Sequence, residues 1–200
     1  VFTIDFMHFE ADVFSAFSSV MADLRDGFIR EMDKEASGLE GHLHHYDRVL
    51  RVTDQRVWSE IAEGACVSHQ FYTLRWFMLL MCQEFELLCV LRLWDTLAAA
   101  EGPALTSAEL VSAGASASNQ EDFKINRFEF IDYVAVALVL QVRQGVLDGE
   151  GDFALVMEQL QACSATVKSL DDIEALLASS VKICLKWMRW LVDRTTGKSK

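Results

Sequence analysis

Three clusters in this sequence contain residue types able to do chemistry. HLHH at 42–45 offers three imidazoles, and imidazole serves both as a metal ligand and as a general base near neutral pH. On a helix His42 and His45 share a face while His44 points elsewhere. No Cys or carboxylate cluster lies at ligand spacing, so the pattern reads as a solvated helix face and not a metal site. DGEGD at 148–152 opens like a calcium loop, with carboxylates at alternate positions. It departs where Phe153 replaces the Gly and Gln159 replaces the bidentate Glu that such loops require, which leaves a polar turn between helices. Cys66 and His69 have the residue types of a thiol and imidazole pair, but they sit in a loop with no orienting third group. No GxSxG, P-loop, HExxH or Rossmann fingerprint occurs. These residues indicate a binding module, with no catalytic residue, metal or cofactor assigned.

The elements that would position them are helical. Val13, Phe14, Phe17, Val20, Met21, Leu24 and Phe28 recur at spacings of three and four, which predicts an amphipathic helix with Asp12 as its N-cap. Residues 31–41 read as a polar loop. A second helix is expected from about His42 to Glu63, ended by Gly64. From Phe71 to Phe85 apolar residues run nearly all the way round, which predicts a helix buried on most faces. Leu88 to Ala100, Phe128 to Gln144, Phe153 to Gln161 and Ile173 to Val192 supply further helices. Between them, residues 101–126 concentrate Ala and Ser around the chain's single Pro and read as an inserted, flexible surface loop.

Composition agrees with an all-α fold. Hydrophobic residues make up 52% of the 200, ample for a core, while ten Gly and one Pro are few for a turn-rich β sandwich. The formal net charge of -12 would repel a phosphate backbone, which excludes nucleic acid as a main partner. Five Cys, odd in number and without a CxxC pair, suit reduced thiols in a cytoplasmic setting. No secretory leader is visible at Val1–Glu10, and no apolar run approaches the roughly 20 residues of a membrane span. The chain opens on Val rather than Met, which leads us to expect residues upstream of it.

The most apolar stretch, RWFMLLMCQEFELLCVLRLWDTL at 75–97, nevertheless carries Arg75, Glu84, Glu86, Arg92 and Asp95. With Phe71 before it, it resembles the signature of the TBC domain of Rab GTPase-activating proteins: an aromatic followed by RW, then EF, then RLWD. Phe71, Arg75, Trp76, Glu84, Phe85, Arg92, Leu93, Trp94 and Asp95 all match. The likeness extends outward through EADVFSAFSSVMADLRDGFI and RFEFIDYVAVALVLQVRQGVLDGEGDFALVMEQLQ, covering residues 9–165. It implies a multi-helix fold corresponding to the C-terminal half of such a domain, with residues 1–165 in that portion and 166–200 an added helix and basic tail. Since an unpaired buried charge is costly, either Arg75, Glu84, Arg92 and Asp95 form one buried network, or Arg92 pairs with Asp95 one turn away and Arg75 reaches solvent.

The resemblance further implies a Rab-type small GTPase as partner, with GTP and Mg²⁺ belonging to that partner. Family members act through an Arg finger from an IxxDxxR motif and a Gln finger from YxQ, and an Arg supplied in trans is worth about 10³–10⁵ in rate. Neither motif occurs here: Ile29 has Met32 where Asp is needed, Tyr46 precedes Arg48, and Tyr72 precedes Leu74. A catalytically silent TBC module or a helical scaffold therefore stand as alternatives to a working activator. Lys182, Lys186, Arg189, Arg194, Lys198 and Lys200 gather near Trp187 and Trp190. This end of the chain, 182–200, either makes peripheral contact with an anionic membrane or packs Ile183, Trp187 and Leu191 on the core behind a solvated basic edge.

Overall fold

Ten consecutive residues, Phe130 to Val139, are all buried, and this one segment organises the rest of the larger part of the chain. The structure is a computed structural model describing residues 8–28, 39–99 and 130–195, and no strand occurs among the described residues. The chain divides into two compact units, Val1–Gly41 and His42–Lys200.

In the first unit α1 spans Phe9–Phe28. It starts earlier than the apolar spacing suggests, so Asp12 is not its N-cap. Asp12 instead lies with Glu10 in the first turn, where negative charge complements the helix dipole. The expected insertion at 101–126 lies outside the described residues, as does most of the expected loop at 31–41.

The second unit begins within α2, Leu39–Thr53. The single helix expected through Glu63 is broken at Asp54, whose extended backbone and side chain, accepting from the Arg56 and Val57 amides, start a new helix α3 at Gln55–Ser59. A π-helical turn, Glu60–Gly64, follows. The helix expected over 71–85 is also shorter: α4 is Gln70–Met78, and Leu79 to Phe85 form a compact turn in which Leu80 (φ 47°) and Met81 (φ 58°) take left-handed backbone. Nor is α4 covered all round, since Phe71, Leu74 and Met78 face solvent. The correction has a simple cause: apolar residues on every face mark burial only if something packs on every face.

Next come α5 at Leu87–Ala99, α6 at Phe130–Gln141, α7 at Arg143–Asp148, α8 at Phe153–Ala162 and α9 at Leu170–Thr195. Helix α6 is apolar on all sides and sits at the centre, with α9 along it and α4 against it, while α9 also packs on α5. The start of α9 is fixed by a reciprocal cap. Ser169 Oγ accepts from the Asp172 amide, while the Asp172 carboxylate accepts from the Lys168 and Ser169 amides.

Candidate functional site

The signature residues divide into a buried framework and an exposed rim. Trp76 and Leu93 are fully buried and Phe85 nearly so, whereas Phe71 is exposed with its ring edge-on to Phe153. Arg75 and Glu84 close the turn between α4 and α5: Arg75 Nε lies 2.6 Å from Glu84 Oε1, and a terminal guanidinium nitrogen donates to Oε2 at 3.0 Å. The Glu84 side chain is 1% exposed while Arg75 is half exposed, so the guanidinium both neutralises the carboxylate and seals it from water. The Trp94 indole donates to the Leu80 carbonyl at 3.0 Å, pinning the left-handed residues, each of which costs about 1–3 kcal/mol in the absence of such support.

The four charges do not act as one network, and Arg92 does not pair with Asp95. Arg92 reaches Glu174 on α9, with one guanidinium nitrogen at 3.2 Å from Oε2, and donates to Thr96 on its own helix. Asp95 is exposed. Two separate pairs thus do two jobs: Arg75 with Glu84 shapes the α4–α5 turn, and Arg92 with Glu174 ties α5 to α9.

The HLHH cluster has a different role from the solvated face expected of it. His42 and His45 do share a face, and both turn their Nδ1 atoms onto Asp132, at 2.9 and 2.7 Å, while His44 is exposed. Asp132 is completely buried within α6, and each carboxylate oxygen takes one imidazole. His42 stacks on Phe77, and His45 meets the edges of Tyr133 and Trp187. The cluster is a clamp between α2 and the central helix. Its sequence signal was available as the lone Asp in FIDYVAVALVL.

His69 does have an orienting carboxylate, Asp47 of α2, 22 residues away in sequence. Its Nε2 is 3.0 Å from Asp47, its Nδ1 is 2.6 Å from the Tyr72 hydroxyl, and that hydroxyl is 3.1 Å from the Tyr46 hydroxyl. Asp47 also accepts from the Trp58 indole at 2.7 Å. The His69 hydrogen bond, aided by Trp58, holds the Asp47 carboxyl below its ordinary range against the opposing effect of burial. Burial raises both tyrosines, which stay protonated. With both ring nitrogens engaged, His69 offers Cys66 no base, and the Cys66 thiol donates to the Glu63 carbonyl instead.

DGEGD is a turn. Asp152 caps α8 through the Ala154 and Leu155 amides, Asp148 accepts from Gln144, and the Gly151 amide donates to the Glu60 carboxylate, joining this turn to the π-helical one. Gly151, at φ 79°, sits against the Gly64 backbone, an approach that a side chain would strain. No group of three or more metal-ligating side chains occurs among the described residues. Exposed apolar side chains gather in two rows: Leu87, Leu88, Leu91 and Trp94 along α5, and Phe71, Leu74, Met78 and Leu79 along α4 and its turn. Cys89, Val90, Leu93 and Leu97 take the inner face of α5.

Among the described residues the module is all-helical, with charge pairs in its framework and rows of exposed apolar side chains of the kind that mark interaction surfaces in helical domains. The chain belongs to the Rab-GTPase-TBC domain family, which matches residues 2–117. It is similar to TBC1 domain family member 13 of Mus musculus, 32% identical over 154 residues, which is 77% of this chain and 32% of the mouse protein. The Homo sapiens protein of the same name is 31% identical over the same shares. A TBC domain-containing protein of Schizosaccharomyces pombe is 26% identical over 76% of this chain and 23% of its own length. The chain thus spans about a third of the length of the curated relatives it matches. No solved structure matches with comparable significance. Among the described residues no helix is long and apolar enough to cross a membrane.

Proposed function

We propose that this Rab-GAP-type module binds a Rab-family small GTPase and, together with an Arg finger and a Gln finger that its own residues do not supply, stimulates GTP hydrolysis in membrane trafficking. The observation that carries the reading is the TBC signature in register on a rigid α4–α5 framework whose outer face is apolar. Residues 1–165 form the C-terminal portion of the TBC domain, with 101–126 as an insertion, and 166–200 add a helix and basic tail. Phe71, Arg75, Trp76, Glu84, Phe85, Arg92, Leu93, Trp94 and Asp95 serve architecture and docking, and none is catalytic. A silent module that binds a Rab without accelerating it is the second reading, left open because these residues contain neither IxxDxxR nor YxQ.

Two measurements test this. Purified chain is titrated against a panel of Rab proteins loaded with a non-hydrolysable GTP analogue, and the longest native polypeptide containing it is assayed by single-turnover GTP hydrolysis. Binding with acceleration by the longer polypeptide supports the activator. Binding without acceleration selects the silent module, and no binding across the panel refutes both.

A further inference from the structure

Cations in this chain are outnumbered, 18 Lys and Arg against 30 Asp and Glu, so three neighbouring guanidiniums with no carboxylate within ion-pair distance among the described residues stand out. Arg48, Arg51 and Arg194 line one groove of about 550 Å³ with Val52, Gln55 and Trp190. That volume lies within the roughly 300–1,000 Å³ typical of small-molecule sites. No carboxylate lines it, and none of the three makes an ion pair within 4 Å among the described residues. Asp47 feels the charge of Arg51 but accepts its hydrogen bonds from Trp58 and His69, and Asp54 binds Arg143.

Each guanidinium is positioned by an aromatic ring. Arg48 lies 5.2 Å over Trp187, Arg51 4.5 Å over Trp58 and Arg194 4.8 Å over Trp190. Trp187 and Trp190 are themselves stacked at 4.8 Å. A guanidinium lying over an indole face keeps its N–H edge for a ligand and loses less freedom on binding than a mobile side chain. Mutual repulsion of three such cations favours occupancy by an anion of matching charge, and Arg forks suit phosphate oxygens better than carboxylates spread along a peptide.

We propose that this groove binds a small polyanion carrying two or more phosphate groups, either the headgroup of a phosphorylated inositol lipid or its soluble counterpart. Arg48 and Arg51 from α2 and Arg194 from α9 supply the forks, and Trp190 forms the apolar wall. The inference is independent of Rab binding, because the groove uses none of the signature residues.

The test uses the intact chain. Soluble inositol hexakisphosphate is titrated by calorimetry and by tryptophan fluorescence, since three of the indoles touch the guanidiniums. Co-sedimentation then compares vesicles of phosphatidylcholine alone, with phosphatidylserine, and with phosphatidylinositol bisphosphate at matched surface charge. The expected result is saturable binding that Arg48→Gln with Arg51→Gln weakens at least about tenfold, while Arg189→Gln, exposed on the same helix, changes it less than about twofold. Binding of the soluble probe without sedimentation on inositol-lipid vesicles identifies a soluble ligand, and sedimentation on those vesicles identifies a headgroup. Thermal melts confirm that the variants fold, and Arg51→Lys, which keeps the charge and loses the planar fork, is expected to bind with intermediate strength. Absence of saturable binding to either probe by the unaltered chain, equal binding to phosphatidylserine vesicles, or an equal loss in Arg189→Gln would overturn the proposal.

Discussion

Replacing Asp132 with Ala removes the acceptor for two imidazoles at once, and its cost can be bounded from the geometry. Hydrogen bonds to a charged group contribute about 1.5–3 kcal/mol each, and the distances of 2.9 and 2.7 Å are those of well-formed bonds. The two imidazoles are 19% and 23% exposed, so water recovers part of what they lose, while the carboxylate itself is fully buried. The expected loss for Asp132→Ala is therefore about 2–4 kcal/mol, and at about 2–4 °C per kcal/mol for a chain of this size the Tm should fall by about 4–16 °C. Removing both imidazoles instead strands a buried carboxylate, so His42→Ala with His45→Ala should cost more, about 3–5 kcal/mol. The triple variant should then be more stable than that double variant, because deleting Asp132 removes the stranded charge. Urea denaturation of the four proteins, with and without zinc, reads all of this. A loss under about 0.5 kcal/mol for Asp132→Ala, a triple variant equal to the sum of its parts, or a rise in stability on adding zinc would refute the clamp.

Arg75→Leu should destabilise by about 2–3 kcal/mol, since it leaves the buried Glu84 carboxylate alone, and adding Glu84→Gln should recover much of the loss. Asp95→Ala should change stability by less than about 0.5 kcal/mol because that side chain is exposed. Thermal melts of the three variants check both. The Asp47 carboxyl is held low in the fold by His69 and Trp58, so its contribution is present above the ordinary carboxylate pKa of about 3.9 and is lost as pH falls through the depressed value. Asp47→Asn should accordingly flatten the acid limb of a stability profile and leave its neutral limb parallel to the parent's. With a thiol reagent at neutral pH, Cys66 and Cys82 should react quickly and Cys89, Cys163 and Cys184 only after unfolding. Burial, with the Glu84 carboxylate nearby, pushes the Cys163 thiol up to about 12, so that position should stay unreactive for as long as the fold is intact.

Helix identity was readable from the sequence because apolar spacing is a local property, as α5 and α8 illustrate: both lie within a residue of the expected limits. Helix ends were less so. The break at Asp54 depends on a side chain competing for two amides, and the end of α4 depends on Trp94, fourteen residues away, holding the Leu80 carbonyl. Pairing was the least legible of all. One turn separates Arg92 from Asp95, yet Arg92 chooses Glu174, and His42 finds Asp132 across 90 residues. Local spacing ranks such partners only when the fold brings no better one near.

The polar groups of this module are arranged in a consistent way relative to its surface. Asp132, Glu84 and Asp47 each hold a carboxylate at a junction between helices, and each is answered by His, Arg or Trp from a different element or across a turn. Charge-paired junctions of this kind favour one packing over near alternatives, since any slip leaves a buried charge without its partner. Apolar contacts alone would not penalise a slip so steeply, because Leu, Val and Phe accept many neighbours. The outer stripe of Leu87, Leu88, Leu91 and Trp94 is the reverse case, being apolar and without fixed polar partners save the Trp94 indole. A rigid inner lattice carrying an adaptable apolar rim suits a surface that must present the same shape each time a partner arrives and gain affinity by excluding water there. If that division of labour holds, substitutions in the inner pairs will lower stability and binding together, whereas Leu88→Ser or Leu91→Ser will lower Rab binding with little change in Tm.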